Sequence, residues 1–232
     1  MPSRKSEGPS SCSRRRFLSA AAATAVAGYA FKLPGGTPAR AEAPLTPESA
    51  LRQLLDGNAR YVSQRPRSQS PDFAAMRAKT ETKQEPFACV LACSDSRVPV
   101  EIIFDQAIGQ LFVARVAGNI AAPEVIASLE YGAAELGTPL IMVLGHSHCG
   151  AVKAAVAGEQ VPGQISALFA PIQPAVDEAG HDVEAAVKAN ARIQAATLRK
   201  SSPVLAALTR EGKLKVVAAT YQLDSGKVDI LA

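Results

Sequence analysis

The stretch Leu140-Ile141-Met142-Val143-Leu144-Gly145-His146-Ser147-His148-Cys149-Gly150-Ala151-Val152 changes character twice within a few residues. Residues 140–144 form a continuous apolar run of the length of a strand buried on both faces. Residues 145–150 then bring reactive side chains, and residues 150–156 read as a helix. Residues 87–92 and 111–115 are further apolar runs of strand length, and residues 123–136 carry apolar positions at helical spacing between strands. Such alternation predicts an α/β fold, a mainly parallel β-sheet flanked by helices, with ligands collecting beyond the carboxyl ends of the strands.

Toward the amino terminus, Thr46-Pro47 supplies an N-cap and a first-turn proline for a helix reaching residue 61 or 62. Residues 64–71 read as a loop and residues 72–79 as a second short helix. Toward the carboxyl terminus, residues 183–199 and 204–210 read as helices, 214–221 as a strand and 228–231 as a last edge strand. No internal repeat is present, and 232 residues, 47% of them hydrophobic, suffice for one domain of ordinary size.

The formal charge of +4 is unevenly spread. Residues 1–41 carry Arg4, Lys5, Arg14, Arg15, Arg16, Lys32 and Arg40 against Glu7, a local +6, so residues 42–232 stand near −2. That balance, without a basic cluster, gives no footprint for nucleic acid. Ser13-Arg14-Arg15-Arg16-Phe17-Leu18 precedes a modestly apolar alanine-rich segment, residues 20–31, and then Ala39-Arg40-Ala41. This is the pattern of a twin-arginine export signal over residues 1–41, with cleavage leaving Glu42 first in a domain of residues 42–232 and a periplasmic or secreted location. An uncleaved membrane-anchoring terminus is the alternative. Cys12 precedes the apolar stretch, the wrong side for a lipid-modified cysteine at a cleavage site.

Two of the strand runs end in chemistry: Cys93-Ser94-Asp95-Ser96-Arg97 after the first, and His146 with Cys149 after the third. Two thiolates and an imidazole are zinc ligands, and a Cys2His set with one open position is the catalytic rather than the structural pattern. A disulfide between the thiols and a closed structural site are the competing readings. A closed site needs a fourth cysteine or histidine. Cys89 lies inside an apolar strand run and reads as core packing; His181 reads as a surface residue, and His148, between two ligands, as outward-facing. Asp95 is placed to accept a hydrogen bond from a metal-bound water, and Arg97 to hold that carboxylate ionised. An ordinary loop ion pair is the plainer alternative.

Cys-x-Asp-x-Arg followed some fifty residues later by His-x-x-Cys resembles the zinc signature of the β-class carbonic anhydrases. Arg115-Val116-Ala117-Gly118-Asn119, Ser128-Leu129-Glu130-Tyr131, Gly57-Asn58-Ala59-Arg60-Tyr61 and residues 221–228 resemble that family too, so the likeness spans residues 46–231. The resemblance implies one Zn2+ per subunit on Cys93, His146 and Cys149, with Asp95 a further ligand only in a closed state and otherwise turned to Arg97. It implies carbon dioxide contacts from Gln84, Phe112, Tyr131 and Gly150, and a homo-oligomer, dimer or tetramer, with pockets at the subunit interface. Gln222 departs from the aspartate that many relatives carry after the tyrosine. The implied activity is reversible hydration of carbon dioxide to bicarbonate and a proton by zinc-bound hydroxide. It is expected to rise toward alkaline pH, because two thiolates neutralise the ion and acidify its water less than three histidines do. Hydrolysis of carbon disulfide or carbonyl sulfide on the same fold, and non-catalytic periplasmic zinc binding, are the alternatives; a dinucleotide site lacks its glycine fingerprint.

Overall fold

The computed structural model describes residues 45–67, 71–158 and 160–232. The expected export signal, residues 1–41, lies outside the described residues, as does 68–70 of the expected loop.

Thr46 caps α1 (Pro47–Val62) through a capping box with Ser49, and Asp72 caps α2 (Phe73–Thr80), so both helices start where their polar caps satisfy free N–H groups. The strands follow as β1 (Ala88–Ala92), β2 (Leu111–Arg115), β3 (Leu140–His146), β4 (Lys215–Tyr221) and β5 (Val228–Leu231). They form one sheet in the order β2-β1-β3-β4-β5, parallel except for antiparallel β5. Every residue of β1 and β3 is buried, as apolar runs without alternation require.

One face of the sheet, with Val90, Met142 and Ala219, packs on Ala50 and Leu54 of α1 and on Val100 and Ile103 of α3 (Val100–Ile103). The other, with Leu91, Val143 and Ala218, packs on Leu129 of α4 (Pro123–Glu130), on Ala191, Ala195 and Leu198 of α7 (Val183–Ser201) and on Leu205 of α8 (Pro203–Arg210). A third cluster joins Cys93 and Cys149 to Val152 of α5 (Gly150–Ala157), Ile172 of α6 (Phe169–Ala179) and Val187 of α7. The chain leaves β1 for β2 on one side and returns to β3 on the other. The carboxyl ends of β1 and β3 therefore flank the point where the winding reverses, the crevice in which open sheets bind ligands.

Of the elements that differ from expectation, three bear on the site. The helix read over residues 123–136 ends at Glu130 and widens into a π turn, Tyr131–Glu135, with Leu136 N donating to Tyr131 O. Gly132 makes this approach possible, since a Cβ there would lie 2.5 Å from Cys89 Sγ. α6, left unassigned by sequence, carries Pro171 in its first turn, where no N–H is needed, and Pro174 inside it. The third strand run extends two residues further, to His146, which puts a site residue on the sheet itself.

Candidate metal centre

Cys93 Sγ, one ring nitrogen of His146 and Cys149 Sγ lie within 4.8 Å of one another, all three residues buried. Ligands about 2.0–2.3 Å from a tetrahedral zinc stand about 3.3–3.8 Å apart, so a small inward shift closes the set. Each ligand is held by a different element. Cys93 follows β1; Arg115, at the end of β2, donates from Nε to Cys93 O (2.9 Å) and from Nη2 to Asp95 O (2.6 Å), fixing the loop. His146 ends β3 in register with Tyr221. Cys149 is the N-cap residue of α5.

His146 supplies the test of fit. Its Nδ1 pairs with Ser147 O at 3.0 Å, leaving Nε2 fully buried with no partner among the described residues. A buried nitrogen lone pair between two sulfurs is costly unless a cation or a proton donor meets it. The Nδ1 hydrogen bond to a backbone carbonyl fixes the tautomer that presents Nε2 as an electron donor. The thiols agree. The hydrogen bond from Cys149 holds Cys93 well below the usual thiol range, while the same bond and burial push Cys149 up, a thiolate beside a thiol being the chemistry of a soft-metal donor set. A disulfide is not formed; Cys89, Cys93 and Cys149 are free.

Asp95 stands beside the cluster, outside the ligand set. Arg97 Nε donates to its Oδ1 (2.9 Å) and Arg97 Nη2 to its Oδ2 (2.7 Å), with Arg97 N also on Oδ1 (2.9 Å). These bonds hold the Asp95 carboxyl well below the usual carboxylate range. Its Oδ2 remains 3.8 Å from His146 Nε2, so a carboxylate oxygen stands beside the cluster. Gly150 opens α5 exposed, with free space where a Cβ would stand.

Gln84 lies exposed in the segment leading into β1. Phe112 and Tyr131 meet each other, ring centroids 6.2 Å apart, but Phe112 is paired with Cys89, four residues before Cys93 and so about 13 Å back along the strand direction. Within one chain Phe112 thus stands back along the sheet from the Cys93 end of β1. Cys89, its thiol pushed up to about 11 by burial and 3.0 Å from Thr138 Oγ1, is core as expected. His148 and His181 are exposed.

Sequence reading assigned no role to Arg115, Gly118, Glu184 or Asn190. Gly118 N donates to Cys93 Sγ (3.3 Å), and Glu184 accepts from His148 N (2.9 Å) between His146 and Cys149. A signal was present in α7, where Asn190 and Gln194 place two amides four apart on an otherwise alanine-rich buried face.

Comparison with known proteins gives one family. The family model described as "Carbonic anhydrase" matches residues 88–228. "Carbonic anhydrase 2" of Mycobacterium tuberculosis is 38% identical over 191 residues, covering 78% of this chain and 91% of that relative. Among solved structures, the Coccomyxa β-carbonic anhydrase in complex with acetazolamide superposes with TM-score 0.62 at 26% identity, over 78% of this chain and 86% of that one. One of two tetrameric β-carbonic anhydrases from Sordaria macrospora shares the fold, with TM-score 0.60 at 21% identity, over 79% and 98%.

Proposed function

The chain belongs to the β-class carbonic anhydrases, zinc enzymes that hydrate carbon dioxide reversibly, and from that premise we propose that Cys93, His146 and Cys149 are its zinc ligands, with Asp95 and Arg97 completing the catalytic machinery. The observation that carries this reading is the buried His146 Nε2, without a hydrogen-bond partner among the described residues, clustered with two sulfurs and 3.8 Å from the Asp95 carboxylate. Zinc bound there supplies a Lewis acid that makes water nucleophilic near neutral pH. The chain's own residues do the rest. Asp95, charged and acceptor-only, takes the hydrogen bond of the attacking water at Oδ2 and so aims its lone pair at the carbon of carbon dioxide. Arg97 binds both oxygens of Asp95 and keeps it from turning inward. Gly150, without a side chain, leaves the approach open.

Stopped-flow hydration of carbon dioxide by protein of measured zinc content tests this, with carbon disulfide and carbonyl sulfide assayed beside it. Zinc-loaded protein that turns over only a sulfur substrate, or none, overturns it.

Gln84, Phe112 and Tyr131 belong in the same proposal as carbon dioxide contacts, with a second copy of the chain bringing the aromatics to the cluster. In support, β2 is an edge strand of the described sheet, and Tyr131, Ile102 and Ile108 are exposed apolar side chains. Sedimentation showing an active monomer would sink this arrangement. Residues 1–41 complete the proposal as a twin-arginine export signal, on the strength of Arg14-Arg15 before the alanine-rich segment. Fractionation of a transport-deficient strain should then find the protein retained inside; an unchanged distribution refutes export by that route.

A further inference from the structure

α7 carries Asn190 and Gln194 four apart on its buried side, Val187 against Gly145, and the half-exposed Glu184 in its first turn. Each polar member reaches a loop of the metal centre or its support. Glu184 accepts from His148 N at 2.9 Å. Gln194 accepts from Ala121 N (2.9 Å) and donates from Nε2 to Pro171 O (2.9 Å) and to Asn190 Oδ1 (3.0 Å). Asn190, with no exposed surface, donates from Nδ2 to Gly118 O (2.8 Å), and Gly118 donates its N–H to Cys93 Sγ (3.3 Å).

Gly118 has little else to hold it. Its backbone is left-handed, φ +75, in a single turn of 3-10 helix (Ala117–Asn119); glycine enters that region freely and leaves it as freely, so its own conformational preference does not fix the peptide. The Gln194 to Asn190 hydrogen bond settles which way the Asn190 amide points, and that orientation sends its N–H to Gly118 O.

We propose that Asn190 is a positioning residue for the metal centre: it holds the Gly118 carbonyl so that the Gly118 N–H stays aimed at Cys93 Sγ. The inference rests on the reading of Cys93 as a zinc ligand. A hydrogen bond to a thiolate stabilises the anion and draws electron density from it, so the sulfur binds the metal readily and gives it less charge. Without Asn190 the Gly118 peptide is free to turn, and Cys93 becomes a more basic, more strongly donating sulfur.

The test is cobalt(II) and zinc binding by the purified protein and by Asn190→Leu, which keeps roughly the side-chain volume and removes the amide. Outer-shell partners of this kind are worth about 10- to 100-fold in metal affinity, and a loss of about tenfold is expected, with the thiolate-to-cobalt charge-transfer band moved to lower energy. A folded Asn190→Leu protein with the parent band and affinity overturns the proposal. Gln194→Met, which releases the Asn190 amide without removing it, should move both readouts the same way by less; if Asn190→Leu fails to fold, a parent-like Gln194→Met is the overturning result. The absence of any thiolate charge-transfer band in the parent protein would instead refute the zinc reading itself, so the two failures are distinct.

Discussion

Replacing Gly118 by alanine strains the loop beside Cys93 in two separable ways. At φ +75 a residue with a Cβ is held in the left-handed region, at a cost of about 1–2 kcal/mol. The new Cβ would also stand 2.8 Å from Cδ1 of Ile172, a side chain with no exposed surface, and overpacking of that kind costs about 1–3 kcal/mol. The expected loss is the sum, about 2–5 kcal/mol. Ile172→Val deletes Cδ1 and by itself costs about 0.5–1.5 kcal/mol. In the Gly118→Ala background it removes the clash as well, so the double variant should recover about 1–3 kcal/mol relative to additivity while the backbone share of the loss persists. Guanidinium unfolding of the four proteins at one fixed free zinc concentration closes the cycle, with bound zinc counted in each. Costs that add within about 0.5 kcal/mol refute the argument, because no contact would then link the two positions.

Asn58, six per cent exposed, donates to Ile103 O and Gly226 O and accepts from Val228 N; Asn58→Leu strands three backbone groups and should cost about 3–6 kcal/mol in thermal or denaturant unfolding. Asp95→Asn should keep zinc and lose about 100-fold or more in kcat, measured by stopped flow at matched metal content. The sign of the pH dependence follows from the depressed Asp95 carboxyl. Its stabilising pair with Arg97 is complete above about pH 4 and weakens only as pH falls through the lower folded value, so loss of activity between about pH 8 and 6 is not protonation of Asp95, and an unfolding midpoint flat over that range is expected. Chelation should abolish turnover and lower the melting temperature, by about 4 kcal/mol of stabilisation lost if free zinc had stood 1,000-fold above its Kd, yet leave the far-ultraviolet circular dichroism of the folded state.

The sheet was legible because buried parallel strands advertise themselves as uninterrupted apolar runs; Leu111–Arg115 falls where residues 111–115 were read. The cluster of Cys93, His146 and Cys149 was legible because cysteine and histidine at strand ends have few other uses. What escaped is what depends on distant partners. Two prolines in α6 break a pattern that only packing of Ile172 and Ala175 restores. The π turn after Glu130 answers to Cys89, some forty residues away. Asn190 looked like a polar residue in a helix, and its value lies in a carbonyl 72 residues upstream.

A metal centre in which the ion organises the ligands, as in small zinc domains, spends its coordination on folding and ends closed. In this chain the three side chains also have anchors of their own. Cys93 is held by Arg115 on its carbonyl and Gly118 on its sulfur, His146 by the β3–β4 register and Ser147 O, and Cys149 by its place at the start of α5. On the zinc reading proposed above, Asp95 is the nearby carboxylate that would close the set, and Arg97 ties it back with two side-chain hydrogen bonds. Protein anchors on the three side chains and a restraint on the carboxylate therefore work together: the first steady the set, and the second keeps a position available for substrate.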